Sequence, residues 1–275
     1  ILVDTILFAF CALWVWHSPV TVICWEHFNL TTNHGKRTRD LARLAASRLS
    51  DRVVVLTERD AEAWRSKYRI TDRVQAIWNP IPRFPEKVQV RTRSSDGPRV
   101  ALAVGRLTHQ KGFDLLLRAW APLGKERDGW VLRIVGDGEE ELALKALAAE
   151  LEIEESVVLV GQVRDMAAEY SGADLFVMSS RWEGLPMTLL EAQHFGLPSV
   201  STDCPTGPRE VLSGGSGLLV KPEDPGALAE GLAELLSRPE NRAQMAVAAK
   251  ENAQLHQPDA VRKEWDAMLS EVGPG

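Results

Sequence analysis

From Arg99 to Leu236 the chain alternates regularly between short apolar runs and segments with helical spacing. The runs are Arg99–Val104, Trp130–Val135, Ser156–Val160, Asp174–Met178, Pro198–Ser201 and Gly217–Val220. Helical segments at Gly112–Ala121, Glu139–Leu151, Asp165–Tyr170, Pro186–Phe195, Pro208–Leu212 and Pro225–Leu236 fill the intervals. A continuous apolar run between turn residues is how a strand buried on both faces reads. Strands that each lead into a helix do not pair as hairpins, so the pattern predicts an α/β domain built on a doubly wound parallel sheet. In such sheets a ligand binds outside the carboxyl ends of the strands, which directs attention to the loops that leave them.

The first 98 residues are organised differently. VTVICW (residues 20–25) and RVVVLT (residues 52–57) read as two more buried parallel strands. WNPIPRFPEKVQVRTRSSDGPR, crowded with prolines and charges, reads as a linker. At 275 residues the chain exceeds the usual span of one core. The expected division is a partial Rossmann-like domain over 1–78, a linker over 79–98, a second Rossmann-like domain over 99–256, and a helix over 257–275 that packs back on the first. That last helix is amphipathic through Val261, Trp265, Met268 and Leu269. The opening ILVDTILFAFCALWVW is too short to span a bilayer and has no basic leader, so a buried core helix is expected, with a membrane-dipping segment as the other reading. The chain starts without Met and reads as a fragment of a longer one. KRTRDLARLAASRLSD, between the first two strands, reads either as a solvated helix face or as a contact for anionic lipid.

Composition excludes some classes. A net charge of -6 gives no electrostatic footprint for nucleic acid. Cys11, Cys24 and Cys204 are too scattered for a metal site or a disulfide framework, which fits a reducing, cytosolic setting.

Three loops at strand ends carry candidate chemistry. In VGRLTHQKG, Gly105 lets backbone approach a ligand, while Arg106 and Lys111 offer a forked donor and a point charge suited to phosphate oxygens. A merely solvated pair is the alternative. In VGDGEE, Gly136 and Gly138 read either as a tight turn or as backbone lining a cleft. In RWEGLPMTLLE a helix is expected to start at Leu185 or Pro186, so that the amides of Met187 and Thr188 form an anion site. Glu183 before it and Glu191 within it can accept hydrogen bonds from sugar and ribose hydroxyls; the plainer reading is a cap and a solvated helix residue.

Together, G-R-L-x-x-x-K-G at Gly105–Gly112, E-G-L-P-x-x-x-x-E at Glu183–Glu191 and TDCPTGPREVL at Thr202–Leu212 resemble glycosyltransferase family 4. Its members are retaining sugar transferases of the GT-B fold, in which two Rossmann-like domains face a cleft. The likeness runs from Ile77 to about Leu236 and is weaker toward the start, through VICWEHFNL and LSDRVVVLTERDAEAW. TDCPTGPREVL is most similar to members that build capsule, exopolysaccharide or lipid-linked glycans. The resemblance implies that Arg106 and Lys111 hold the donor diphosphate, Glu183 touches the donor sugar and Glu191 binds the ribose. It also implies that Gly184, Leu185, Pro186, Met187 and Thr188 cradle the phosphates, His27 lies near the reacting sugar, and the base stacks on backbone at Gly161–Val163, with Val163 the contact. Family members open on a glycine-rich acceptor loop that residues 1–78 do not show, so an incomplete first domain is implied.

The function so implied is metal-independent transfer of a hexose or N-acetylhexosamine from a UDP-sugar to a hydroxyl on a glycan or lipid-linked acceptor, with retention and without a cofactor. A non-catalytic nucleotide-sugar-binding remnant is the alternative. The expected location is cytoplasmic, peripheral at the inner face of the membrane.

Overall fold

The computed structural model describes residues 2–5, 20–30, 37–85 and 97–272. They form two parallel sheets, one in each half of the chain. The first holds β1 (Leu2–Asp4), β2 (Ile23–Trp25), β3 (Arg52–Val55) and β4 (Val74–Ala76), side by side in that order and all parallel. Helices α1 (Arg37–Leu49) and α2 (Glu58–Tyr68) connect its later strands.

Two expectations are corrected here. The apolar opening is not one helix from its start: Leu2–Asp4 pairs with Ile23–Trp25 as a strand, Thr5 is helical, and residues 6–19, where the core helix is expected, lie outside the described residues. An apolar run has no period that separates a buried strand from a buried helix, so for Leu2–Asp4 the pairing with β2 decides it. Nor is α1 a purely solvated basic face. Arg43 is fully buried, its Nε 2.7 Å from Glu26 Oε2, and it donates to the carbonyls of Phe28, Asn29 and Leu30.

The second sheet comprises β5 (Arg99–Val104), β6 (Trp130–Val135), β7 (Val157–Gly161), β8 (Leu175–Met178), β9 (Ser199–Thr202) and β10 (Gly217–Val220). Their spatial order is β10-β9-β8-β5-β6-β7, all parallel. The chain therefore builds outward from β5 through β6 and β7, then returns to β5's other side with β8. Between them run α3 (Phe113–Trp120), α4 (Glu141–Glu150), α5 (Met166–Ser171), α6 (Met187–His194), α7 (Pro208–Val211) and α8 (Pro225–Ser237). Observed bounds fall within two residues of the sequence reading. Alternate residues of β5 feed opposite faces: Ala101 and Ala103 pack with Leu116, Trp120 and Leu232, whereas Val100 and Leu102 pack with Phe176, Leu189 and Leu190.

After α9 (Pro239–Gln254) the chain crosses back, and α10 (Pro258–Val272) lies on the first sheet. There Val261 and Met268 are buried with Ile23, Val54 and Ile77, and Trp265 meets Trp25 edge to face at 5.1 Å. The outward and return crossings touch. Ile81 N–H donates to the His256 carbonyl at 2.9 Å, and the Trp78 and His256 rings stack 3.9 Å apart.

Candidate active site

β5 and β8 are neighbours whose chain connections run in opposite directions, so their carboxyl ends open the crevice where such sheets bind ligands. β5 delivers Gly105 and Arg106, followed by a short turn, His109–Lys111. The Lys111 stem runs over Gly105 closely enough that a Cβ at that position would stand 3.2 Å from Lys111 Cγ and Cδ. Its Nζ reaches Glu183 Oε1, beyond β8, at 2.6 Å. Glu183 is 6% exposed, and the same oxygen accepts a 2.6 Å hydrogen bond from Ser180 Oγ. Two further ties lock the loops. Arg181 grips Asp114 with both terminal nitrogens, at 2.8 and 2.7 Å, and Gln110 Nε2 donates to the Trp182 carbonyl at 2.9 Å. Burial pulls the Asp114 carboxyl upward, but the Arg181 bonds outweigh it and hold the group below the usual range.

The glycines of VGDGEE serve loop contact. Gly136 has φ 140°, and a Cβ there would sit 1.9 Å from the Gly105 carbonyl oxygen. A Cβ on Gly138 would likewise come within 2.4 Å of the Leu107 carbonyl. Gly207, at φ 92°, packs under the E-G-L-P turn, its virtual Cβ 2.4 Å from Pro186 Cδ. Pro186 itself is the N-cap of α6, so the helix starts one residue later than its proline suggested.

A cavity of about 510 Å³ opens between the two halves. His27, Phe28, Asn29, Arg39, Leu56 and Asn79 line it from the first half; Arg106, Gln110, Trp182, Glu183, Gly184 and Leu185 line it from the second. Of the residues singled out in the sequence, His27, Arg106, Glu183, Gly184 and Leu185 thus share one cavity, and Lys111 is bonded to its acid. Gly105 and Gly136 stack beneath Lys111. Pro186, Met187, Thr188, Glu191 and Val163 are not part of the lining. Glu191 accepts a 2.7 Å hydrogen bond from Tyr170 Oη, and Val163 and Met187 pack around the same apolar cluster as Tyr170. Burial raises the Glu191 carboxyl, and the bond from Tyr170 opposes it. Cys204, beside this loop, is inert: burial first, then the nearby Glu183 charge, push its thiol up to about 12.

Sequence reasoning missed Asn29, Arg39, Asn79, Gln110 and Trp182. Trp182 and Gln110 could have been found by adjacency to Glu183 and Lys111. Asn29 and Asn79 carry no local signal, and Arg39 lies in the basic run read as a solvated face or a lipid contact.

The sequence profile described as "Glycosyl transferases group 1" matches residues 86–252. The chain belongs to this family. An uncharacterized glycosyltransferase of Haemophilus influenzae is 31% identical over 270 residues, covering 98% of this chain and 75% of the relative. The amylovoran biosynthesis glycosyltransferase AmsD of Erwinia amylovora is 32% identical over 251 residues, covering 90% and 70%. Among solved structures, Anabaena HepE in complex with UDP and glucose superposes with a TM-score of 0.84 at 20% identity, covering 98% of this chain and 78% of that one. The chain spans about half, 51%, of the longer Staphylococcus aureus TarM mutant chain, which it matches with a TM-score of 0.77 at 18% identity. These likenesses establish the GT-B fold for this group 1 glycosyltransferase. Among its described residues no helix is long and apolar enough to cross a membrane.

Proposed function

We propose that the protein moves a hexose or N-acetylhexosamine from a UDP-sugar to a hydroxyl of a glycan or lipid-linked acceptor, with retention of anomeric configuration and without a metal ion. The observation that carries this reading is the Lys111–Glu183 pair at the crevice between β5 and β8, whose acid lines the same cavity as Arg106. Arriving diphosphate oxygens draw the Lys111 ammonium from Glu183, which leaves the carboxylate to accept from a sugar hydroxyl. One internal ion pair is exchanged for two ligand contacts, so little desolvation is added. Arg106, Lys111 and the start of α6 then supply a fixed positive field for charge growing on the departing UDP, the task a metal would otherwise perform. In this reading Glu191 holds the ribose while Tyr170 orients it, Val163 supports the base, and His27 faces the reacting sugar. The name of AmsD supports a polysaccharide pathway, and the nucleotide bound to HepE supports UDP.

We place the enzyme at the cytoplasmic membrane face. The exposed Leu41 and Leu44 of α1, next to Arg48, offer a surface for peripheral contact with anionic lipid.

UDP-, GDP- and ADP-sugars compared for thermal protection test the donor, since a ligand that binds only the folded state raises its apparent stability. A UDP-sugar is expected to protect best. Lys111→Ala is expected to fold and to lose roughly 10²- to 10³-fold in turnover. Protection by none of the three, or wild-type turnover in Lys111→Ala, overturns the assignment.

A further inference from the structure

The segment Thr202–Val211 lies outside the machinery assigned so far, yet it binds both the acid of the site and the opposite half of the molecule. Thr206, 4% exposed, sits at φ 59°, a left-handed conformation that a β-branched residue rarely adopts. What the strain achieves is visible in its hydroxyl. Thr206 Oγ1 donates to the Glu183 carbonyl at 2.9 Å, with the Gly184 carbonyl at 3.3 Å, and accepts from Asn29 Nδ2. Asn29 Nδ2 also lies 3.4 Å from the Glu183 and Pro205 carbonyls. Asn29 belongs to the first half, and its backbone is fixed in turn: buried Arg43, paired with Glu26, donates to the carbonyls on and around it. A continuous set of buried polar contacts therefore runs from the Glu26–Arg43 pair, through Asn29 and Thr206, to the backbone of Glu183, whose carboxylate meets Lys111.

We propose that Asn29 and Thr206 are positioning residues that aim Glu183 at the donor sugar, so that the acid is correctly placed only when the first half is docked against the second. The proposal rests on the transfer reading above and deepens it. Thr206 is not placed to read a sugar hydroxyl: its single proton is held by the Glu183 carbonyl, its oxygen accepts from Asn29, and the residue is buried outside the cavity lining. Its role is to make the Glu183 carbonyl a rigid support, and Asn29 couples that support to the other sheet. Buried polar networks of this kind specify one geometry, and their members act as a unit.

The test measures cleavage of the UDP-sugar that protects best, with UDP-induced thermal protection read alongside. Thr206→Val keeps the shape and removes the hydroxyl; Asn29→Ala removes the donor. Each is expected to lower kcat roughly 10- to 100-fold, as for an oriented group misplaced by a fraction of an ångström to one ångström. Donor KM and UDP protection are expected to stay near wild type. Thr206→Ser, which restores the hydroxyl, is expected to recover kcat to within about threefold, and Asn29→Ala with Thr206→Val to lose no more than the worse single variant.

Glu210 supplies the control. Its carboxylate accepts from the Glu58 and Arg59 amides across the same interface without touching the Glu183 segment. An equal kcat loss in Glu210→Ala means that general loosening explains the effect, and overturns the proposal. So does a kcat loss that tracks lost UDP protection, or wild-type kcat in both single variants. If Thr206→Val fails to fold, Asn29→Ala and Asn29→Asp carry the same test. A wild-type protein that neither binds nor cleaves a UDP-sugar removes the transfer reading and this one with it; activity with indifferent variants removes this one alone.

Discussion

Gly136 tolerates less change than any charged residue of the cleft. A methyl group there meets backbone at 1.9 Å and has no flexible side chain to displace, in a conformation that already excludes most residues. Gly136→Ala is expected to cost on the order of 3 kcal/mol or more, read from the urea midpoint, and to abolish UDP protection by pushing the Gly105–Arg106 turn off its seat. Arg106, Lys111 and Glu183 were legible at this scale because their motifs lie at strand ends, where chain order alone gathers them. Gly136 was legible as a glycine but not in its purpose, since its partner is another loop. Asn29 and Arg43 were not legible. Each owes its meaning to a partner that pattern cannot supply, Thr206 in the other half for the first and a buried Glu26 for the second. A basic residue in a basic run reads as solvated until the fold places an acid opposite it.

Among the elements, those of the second half announced themselves by the regular alternation of apolar runs with helically spaced segments. β1 and β4 are three-residue strands outside that alternation, the first inside a longer apolar run and the second among polar residues. The helix α2 escaped notice because ERDAEAWRSKY is polar on most sides and buries Asp60, Ala61 and Trp64. What starts it is local. Thr57, in extended backbone, accepts a side-chain hydrogen bond from the Asp60 amide at 3.2 Å, while Glu210 receives the amides of Glu58 and Arg59. The free helix start is thus shared between a cap from its own chain and a carboxylate from the other half. Thr57→Ala is expected to lower stability by about 1 kcal/mol by chemical denaturation, with donor affinity unchanged.

At the scale of the whole molecule the two halves are joined by two crossings that meet at Trp78 and His256. Burial pushes the His256 imidazole down to about 4 from its ordinary 6.5. The unfolded chain therefore takes up a proton below pH 6.5 that the folded chain refuses until about pH 4, and stability falls as pH drops through that window. His256→Phe keeps a ring on Trp78 and removes the loss. Its stability relative to wild type is expected to improve from neutral pH toward pH 4, approaching about 3 kcal/mol, checked by urea titrations at stepped pH.

The meeting of the crossings has a mechanical result. The two covalent links between the halves lie together at one place on their shared boundary, so once the polar contacts elsewhere release, the halves pivot there, much as jaws do, and displacement grows with distance from the joint. A disulfide engineered beside Trp78 should leave sugar transfer intact, whereas one that staples the far lips together near Phe28 and Trp182 should halt it until a reductant is added. Turnover before and after reduction reads the difference directly.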